Sequence, residues 1–353
     1  MGEERPFPGE AEIRAEDELA EFDDRDLPSY VGAASFQKLP WCPDDESLRR
    51  ARPEVAIVGA PLDDGTSHRP GARFGPRAIR AATYHAGDLY SIQVGTEVFS
   101  VVRCVDAGDA PVVPSRLGRG HRVIREKVRG VAEAGAIPIV LGGDHSITYP
   151  SVAAVREVQG AEVGVVHFDA HADTGLEMWG SLLSHGTPMR KLISEGWVAG
   201  RNFVQVGLRG YWPERETFEW MREQGMRWHR MVEIEERGAE AVIDEAIAEA
   251  LEGPERVYLS IDIDVVDPSA APGTGTPEPG GLLARELLRA VRRIVSRVEL
   301  VGMDVVEVSP PYDHAELTAA LAHRCVLEAI GALAAKRGGG LPTDPRPGDP
   351  GSP

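Results

Sequence analysis

Residues 163–173, VGVVHFDAHAD, join a mostly apolar run to three side chains that can bind a metal ion. The run 163–168 predicts a strand buried in a parallel sheet. Asp169, His171 and Asp173 then recur at every second residue, a spacing that projects side chains to one side of an extended chain. The stretch therefore predicts a strand whose carboxyl end carries metal ligands.

Two other stretches repeat this arrangement. The apolar run 256–261 leads into Asp262 and Asp264, and the run 136–141 leads into a glycine-rich turn that contains His145. In open α/β sheets, ligand sites lie beyond the carboxyl ends of the strands. One such motif is also typical of an exposed acidic loop, but three motifs that each follow a strand predict a common site.

The three stretches supply two imidazoles and four carboxylates. These candidate ligands are His145, Asp169, His171, Asp173, Asp262 and Asp264. Six ligands exceed the need of one tetrahedral zinc ion, and they suit two octahedral ions about 3.5 Å apart that activate a shared water for hydrolysis. Ligation by carboxylates without thiolate favours two Mn²⁺ ions, with nickel or iron as alternatives.

The chain around these motifs alternates apolar runs with helical segments. The predicted strands are 55–59, 101–105, 136–141, 163–168, 202–206, 256–261 and 300–306. One predicted helix begins near residue 76. The other predicted helices span 119–134, 151–157, 213–224, 239–251, 283–297 and 316–335. This alternation predicts right-handed crossovers and an α/β fold with a parallel sheet covered on both faces.

The chain divides into three parts by composition. Residues 1–50 are charged and show little periodicity, so we expect an arm that packs on the domain or on a neighbouring subunit, with disorder as the alternative. Residues 51–337 form the predicted catalytic domain. The tail 338–353 is too poor in apolar residues to order itself, and we expect it to be disordered.

The overall charge restricts the partners. The formal net charge of −18 argues against nucleic acid or an anionic membrane and favours a small cationic substrate or metal ions. Three widely spaced cysteines without a CxxC pair suit a reducing compartment. The N-terminus has no apolar signal-peptide core, and we find no run of about 18 apolar residues. We therefore expect a cytoplasmic protein.

The three motifs resemble the signatures of the ureohydrolase family, which includes arginases and agmatinases. They are GlyGlyAspHisSer at 142–146, AspAlaHisAlaAsp at 169–173 and SerIleAspIleAspValValAspPro at 260–268. The resemblance implies a three-layer α/β/α fold with an eight-stranded parallel sheet, a dinuclear manganese site and a trimer or hexamer. It assigns His145 and Asp173 to one ion, His171 and Asp264 to the other, and Asp169 and Asp262 to both.

The resemblance also assigns two residues outside the ligand set. His185 matches the histidine that transfers a proton, a role that suits an imidazole titrating near neutrality. Glu307 matches the glutamate that holds the guanidinium group, since a carboxylate accepts two N–H donors side by side. The alternatives are a structural loop histidine and a structural ion pair.

The segment 174–184, TGLEMWGSLLS, is predicted to edge the cavity. It lacks the Asn, Ser and Thr pattern by which arginases resemble one another, so arginine is disfavoured as substrate. Within it, Glu177 is a candidate partner for the ammonium of agmatine, and Leu176, Met178 and Trp179 are candidates to pack on its methylene chain. The segment contains no lysine or arginine, so a carboxylate-tailed substrate would need a cation from another loop, such as Arg69 or Arg209.

We therefore expect an agmatinase-like enzyme that converts agmatine to urea and putrescine. The alternatives on the same scaffold are a guanidinobutyrase, a guanidinopropionase and a guanidine hydrolase. Two other classes are disfavoured. A metal-dependent deacetylase would need a single zinc with fewer carboxylates, and a non-catalytic partner subunit would be expected to have lost some of the six ligands, all of which are present.

Overall fold

The computed structural model describes residues 28–338. The predictions for residues 1–27 of the arm and 339–353 of the tail lie outside the described residues. The inner part of the arm packs on the domain, because the side chains of Phe36, Leu39 and Leu48 are buried in its hydrophobic cores or against them.

Eight strands form the central sheet. They are β1 (Val55–Ala60), β4 (Cys104–Asp109), β5 (Ile137–Gly142), β6 (Val163–Phe168), β7 (Phe203–Leu208), β8 (Arg227–Arg230), β9 (Arg256–Asp262) and β10 (Glu299–Val306). Their order is β4-β1-β5-β10-β9-β6-β7-β8, and every neighbouring pair is parallel. The predicted α/β fold with an eight-stranded parallel sheet is confirmed. A separate antiparallel hairpin joins β2 (Tyr90–Ser91) to β3 (Thr96–Glu97).

Helices connect the strands. In the described part of the chain they are α1 (Asp45–Ala51), α2 (Gly75–Ala81), α3 (Leu117–Glu133), α4 (Thr148–Gln159), α5 (Pro188–Ser194), α6 (Arg215–Glu223), α7 (Met231–Arg237), α8 (Ala239–Ala250), α9 (Ala284–Arg297) and α10 (Leu317–Gly338).

Both faces of the sheet are buried, each in its own core. Successive side chains of a strand point to opposite faces, and in β1 Val55 and Ile57 enter one hydrophobic cluster whereas Ala56 and Val58 enter the other. The molecule therefore has three layers, with the sheet in the middle.

The strand β8 was missed in the sequence. Its four residues, RWHR, are mostly polar, and only His229 among them is buried. It lies at the edge of the sheet and pairs with β7 alone. A short, polar edge strand leaves no hydrophobic pattern to detect, because half of its surroundings are solvent.

The strand predicted at 101–105 is displaced, because β4 begins at Cys104 and continues to Asp109. Its sequence, CVDAGD, contains two aspartates that hide the strand pattern. Both aspartates accept hydrogen bonds from Arg80, at 2.7 and 2.9 Å for the oxygens of Asp106 and 2.6 Å for Asp109. An ion pair of this kind makes the burial of Asp106 tolerable.

The helix α10 is long and apolar enough to cross a membrane by length and composition. However, 78% of its most apolar window is buried inside the protein. Buried residues occur on all sides of this helix, as in a helix that fills the core of a large domain.

Four strands at the centre of the sheet position the candidate site. They are β5, β10, β9 and β6, which lie side by side in that order. Because all four run in the same direction, their carboxyl ends meet at one edge of the sheet. The three ligand motifs follow β5, β6 and β9, and Glu307 follows β10.

Candidate metal centre

Four of the six predicted ligands converge on one point. Nδ1 of His145 lies 3.0 Å from Oδ2 of Asp169, 3.0 Å from Oδ2 of Asp173 and 3.1 Å from Oδ2 of Asp262. All four residues are buried. One nitrogen and three carboxylate oxygens thus surround a single position.

The remaining two ligands form a second group beside the first. Nδ1 of His171 lies 3.1 Å from Oδ2 of Asp264 and 3.5 Å from Oδ1 of Asp169. Asp169 therefore offers one oxygen to each group, as a bridging carboxylate would. Asp262 belongs to the first group, and its Oδ1 accepts a hydrogen bond from the backbone N–H of Asp264 at 2.9 Å. Its bridging role stays a prediction.

Apart from Asp262, the last residue of β9, the ligands lie in loops and turns and not in an extended strand, so that part of the prediction was wrong. The strand β6 ends at Phe168, before the first ligand. Asp173 has a φ of 49°, in the left-handed region, which turns the chain back toward His145. Asp264 lies in a 3₁₀ turn, Ile263–Val265, that Asp262 caps.

The electrostatics of the two groups fit bound cations. Burial, followed by repulsion from Asp264 and Asp169, raises the pKa of Asp262 well above its usual range. Burial alone would lower the pKa of His145, but the carboxylates around it raise that pKa well above its usual value. Nδ1 of His145 has no well-aligned hydrogen-bond partner among the described residues. Divalent cations would balance this charge and satisfy that nitrogen.

The structure brings His185 and Glu307 into direct contact beside the ligands. Nδ1 of His185 lies 2.9 Å from Oε1 of Glu307, and Nε2 lies 2.6 Å from Oγ of Ser67. Burial alone would lower the pKa of His185, but Glu307 raises it to about 9. The sequence predicted both residues but not their contact, and nothing in it pointed to Ser67.

The two carboxylate oxygens of Glu307 have different surroundings. Oε1 accepts hydrogen bonds from His185 and from the backbone N–H of His145, the latter at 2.8 Å. Oε2 is buried and has no hydrogen-bond partner among the described residues. Glu307 also has a φ of 62°, and such positive values are typical of residues held in place for function. An acceptor oxygen is thus left available next to the ligands.

A cavity of about 200 Å³ is lined by Ser67, His171, Asp173, His185 and Asp262, and Glu307 contacts its wall through His185. Besides residues already described, its wall contains Met178, Gly186, Trp212 and Thr276. The ring of Trp212 meets the ring of His171 at an angle of 63° and a centroid distance of 6.2 Å. Thr276 lies next to the third motif and donates to Oδ2 of Asp264 at 3.3 Å, whereas no sequence signal pointed to Trp212.

The substrate contacts predicted for Glu177 and Trp179 are not supported by their positions, because both side chains are exposed and neither lines this cavity. The reason is a tight turn in which the backbones of Met178 and Ser181 exchange hydrogen bonds of 2.9 and 3.0 Å. The turn directs Met178 into the cavity wall and leaves Trp179 at the tip, 83% exposed.

Arg209, one of the two expected cations, is already engaged. Its guanidinium group donates to the backbone carbonyls of Gly207, Asp264, Val265, Glu278 and Pro279. The other cation, Arg69, stacks over the ring of Tyr312 at 5.3 Å and does not line the cavity. In the described part of the chain, no lysine or arginine lines this cavity.

Comparison with known proteins identifies a family and several related proteins. A family model described as "Arginase family" matches residues 53–331. The chain is 41% identical to proclavaminate amidinohydrolase of Streptomyces clavuligerus over 84% of this chain and 91% of that protein. It is 40% identical to mitochondrial agmatinase of Gallus gallus over 85% of each chain, and 37% identical to guanidinobutyrase of Pseudomonas aeruginosa over 86% of this chain and 93% of that one.

Solved structures are also similar. The structure of proclavaminate amidinohydrolase matches 88% of this chain and 100% of its own with a TM-score of 0.80. Formiminoglutamase of Trypanosoma cruzi "with Mn2+2", at 25% identity, matches 83% of this chain and 99% of its own with a TM-score of 0.74.

Proposed function

This chain belongs to the arginase family and is a guanidino hydrolase, and we propose that its metal centre converts agmatine to urea and an amine. The observation that carries the proposal is the pair of ligand groups that share Asp169, with Oε2 of Glu307 available beside them. A carboxylate oxygen without a donor, beside a cavity lined by Asp173 and Asp262, suits a planar cation such as a guanidinium group.

We propose two Mn²⁺ ions as the cofactor, with nickel or iron as alternatives. His145, Asp169, Asp173 and Asp262 would hold one ion, and Asp169, His171 and Asp264 would hold the other. Oxygen-rich ligation without thiolate supports manganese. When bound, such a pair supplies Lewis acidity that lowers the pKa of water to near neutrality.

Glu307 and His185 would act on the substrate directly. Oε2 of Glu307 accepts N–H groups of the guanidinium and orients its carbon, while Oε1 is fixed by His145 and His185. His185 holds a proton at neutral pH because Glu307 raises its pKa to about 9. When the carbon–nitrogen bond breaks, the leaving amine takes up this proton, and Ser67 keeps the ring in place through Nε2.

The cavity wall supports agmatine among the possible substrates. Met178 and Trp212 offer apolar surface to a methylene chain. The described wall contains carboxylates but no lysine or arginine, and Arg209 is committed to backbone carbonyls. A substrate with a cationic tail therefore fits the charge of the cavity better than one with a carboxylate tail. The exposure of Glu177 removes it from the argument.

Acid-tailed guanidino compounds are the second candidate. They are supported by the similarity to guanidinobutyrase. The cation for such a substrate would be Arg69, whose guanidinium group stacks over the ring of Tyr312 at 5.3 Å. Its side chain would have to leave Tyr312 to meet a substrate carboxylate.

An assay of urea release tests the proposal. Purified enzyme is supplied with Mn²⁺, then with Ni²⁺, and given agmatine, 4-guanidinobutyrate, 3-guanidinopropionate, arginine or guanidine. The highest kcat/KM is expected for agmatine. An acid-tailed compound that exceeds agmatine by about tenfold, equivalent to about 1.4 kcal/mol in transition-state binding, would overturn the choice of substrate.

A further inference from the structure

We propose that Asp304, acting through Ser260, is a positioning residue that fixes the hydrogen of His145 on Nε2 and so leaves Nδ1 bare toward the metal centre. The inference rests on the proposed metal site and concerns residues behind it. Neither Asp304 nor Ser260 lines the cavity.

A chain of hydrogen bonds runs from His145 into the core. Nε2 of His145 lies 3.0 Å from Oγ of Ser260, and this hydroxyl donates to Oδ1 of Asp304 at 2.7 Å. Oδ2 of Asp304 accepts from the hydroxyl groups of Tyr258 and Thr148, each at 2.9 Å. All five residues are fully buried.

The number of hydrogen atoms that each group can donate determines the direction of these hydrogen bonds. A serine hydroxyl has one hydrogen, and a carboxylate has none. Burial raises the pKa of Asp304, whereas the hydrogen bonds that its carboxylate accepts from three hydroxyl groups oppose that rise. Because Ser260 gives its hydrogen to Asp304, its oxygen can only accept from His145. Nε2 of His145 must therefore carry a hydrogen.

The consequence lies on the other side of the ring. With the hydrogen fixed on Nε2, a neutral His145 has a lone pair on Nδ1. That lone pair faces oxygens of Asp169, Asp173 and Asp262 at 3.0 to 3.1 Å. When the three carboxylates are ionised, four acceptors surround one position, and a cation satisfies all four. Groups that fix a ligating histidine in this way raise its affinity for metal.

The pairing of strands in the sheet positions this hydrogen-bond relay, which runs from His145 through Ser260 to Asp304. Ser260 and Asp304 are partners in the register of β9 with β10. Tyr258 lies two residues before Ser260 and therefore points to the same face. Gly302 makes room for it, because a Cβ at that position would lie 2.6 Å from two atoms of the Tyr258 ring. The relay is thus part of the rigid core and not of a loop.

A matched pair of variants separates this role from simple core packing. Ser260→Ala breaks the link between Asp304 and His145, whereas Tyr258→Phe removes a different hydroxyl from the same carboxylate. Each deletes one buried hydroxyl that donates to Asp304. The affinity and stoichiometry of Mn²⁺ are measured by titration calorimetry on the full chain, and the thermal unfolding midpoint is measured on the metal-free protein.

We expect Ser260→Ala to weaken binding of at least one Mn²⁺ by roughly 10- to 100-fold, and Tyr258→Phe to weaken it by about threefold or less. Asp304→Asn, if it folds, should resemble Ser260→Ala. Equal losses of affinity in Ser260→Ala and Tyr258→Phe, or no loss in Ser260→Ala, would overturn the relay while the metal site stands. If the wild-type protein binds no Mn²⁺, the metal site and the relay both fail.

Discussion

At the residue scale, the different surroundings of the two Glu307 oxygens predict how Glu307→Gln should affect activity. In Glu307→Gln, the amide oxygen must take the place of Oε1, because two N–H donors point there. The NH₂ group then replaces Oε2 and offers donors where the substrate also brings donors. We expect kcat/KM to fall by about 100-fold or more while the fold is retained.

Circular dichroism and urea release check this prediction together. Glu177→Gln is the matched control, because Glu177 is exposed and does not line the cavity. Its kcat/KM should stay near that of the wild type. Activity of Glu307→Gln close to wild type would show that this carboxylate does not hold the guanidinium.

The pH dependence of the enzyme follows from His185. Its protonated form is the proposed acid, so kcat should fall as pH rises through about 9. This basic limb should be missing from the low residual activity of His185→Asn and present in His314→Asn, whose histidine is exposed outside the cavity. If kcat of His185→Asn still fell as pH rises through about 9, a group other than His185 would cause that fall.

The contact between His185 and Glu307 also makes the stability of the fold depend on pH. The pKa of His185 is raised from the usual 6.5 to about 9 in the folded state. Protonation therefore stabilises the fold fully below about pH 6.5, and this contribution disappears as pH rises through about 9.

At the element scale, the turn between β5 and α4 carries His145 and depends on a close backbone approach. A Cβ on Gly143 would lie 1.8 Å from the carbonyl oxygen of Leu62. Gly143→Ala should therefore displace the turn, lower the stability by about 2 kcal/mol or more and weaken binding of Mn²⁺.

Thermal unfolding and metal titration test this change. Gly118→Ala in α3 is the control, because a Cβ there would have only an ordinary contact of 3.8 Å with Leu183. It should be neutral or slightly stabilising. A Gly143→Ala protein as stable as Gly118→Ala would mean that the turn relaxes without affecting His145.

Elements also show how far the sequence could predict this structure. Central strands such as β6 and β9 are buried on both faces and therefore carry continuous apolar patterns. The edge strand β8 is not, and it was missed. The motifs that follow these central strands were therefore recognisable in the sequence, and they indicated the candidate ligand set.

The details of the cavity depend on tertiary contacts that no local pattern encodes. Trp212 reaches the site from a separate loop. His185 meets Glu307 across 122 positions. Within one segment, a turn decided that Met178 faces the cavity and Trp179 faces solvent. A sequence places such residues near a site but does not fix which way each side chain points.

At the scale of the whole molecule, we propose that the chain forms a homo-oligomer. Tyr84 and Ile92 are at least four-fifths exposed and lie along the same surface groove, an arrangement that suits a subunit contact. Light scattering coupled to size-exclusion chromatography should give a mass three or six times that of a single chain. A monomeric mass at micromolar concentration would contradict this expectation.

The account as a whole depends on two cations held by three loops at one edge of the sheet. Its most direct test is the metal content of the purified protein after reconstitution with Mn²⁺ and removal of excess ion, measured by inductively coupled plasma mass spectrometry. Because Asp169 contributes to both ligand groups, Asp169→Asn is measured beside the wild type. We predict about two ions per chain for the wild type and less than one for Asp169→Asn. One ion or none in the wild type would contradict the dinuclear site.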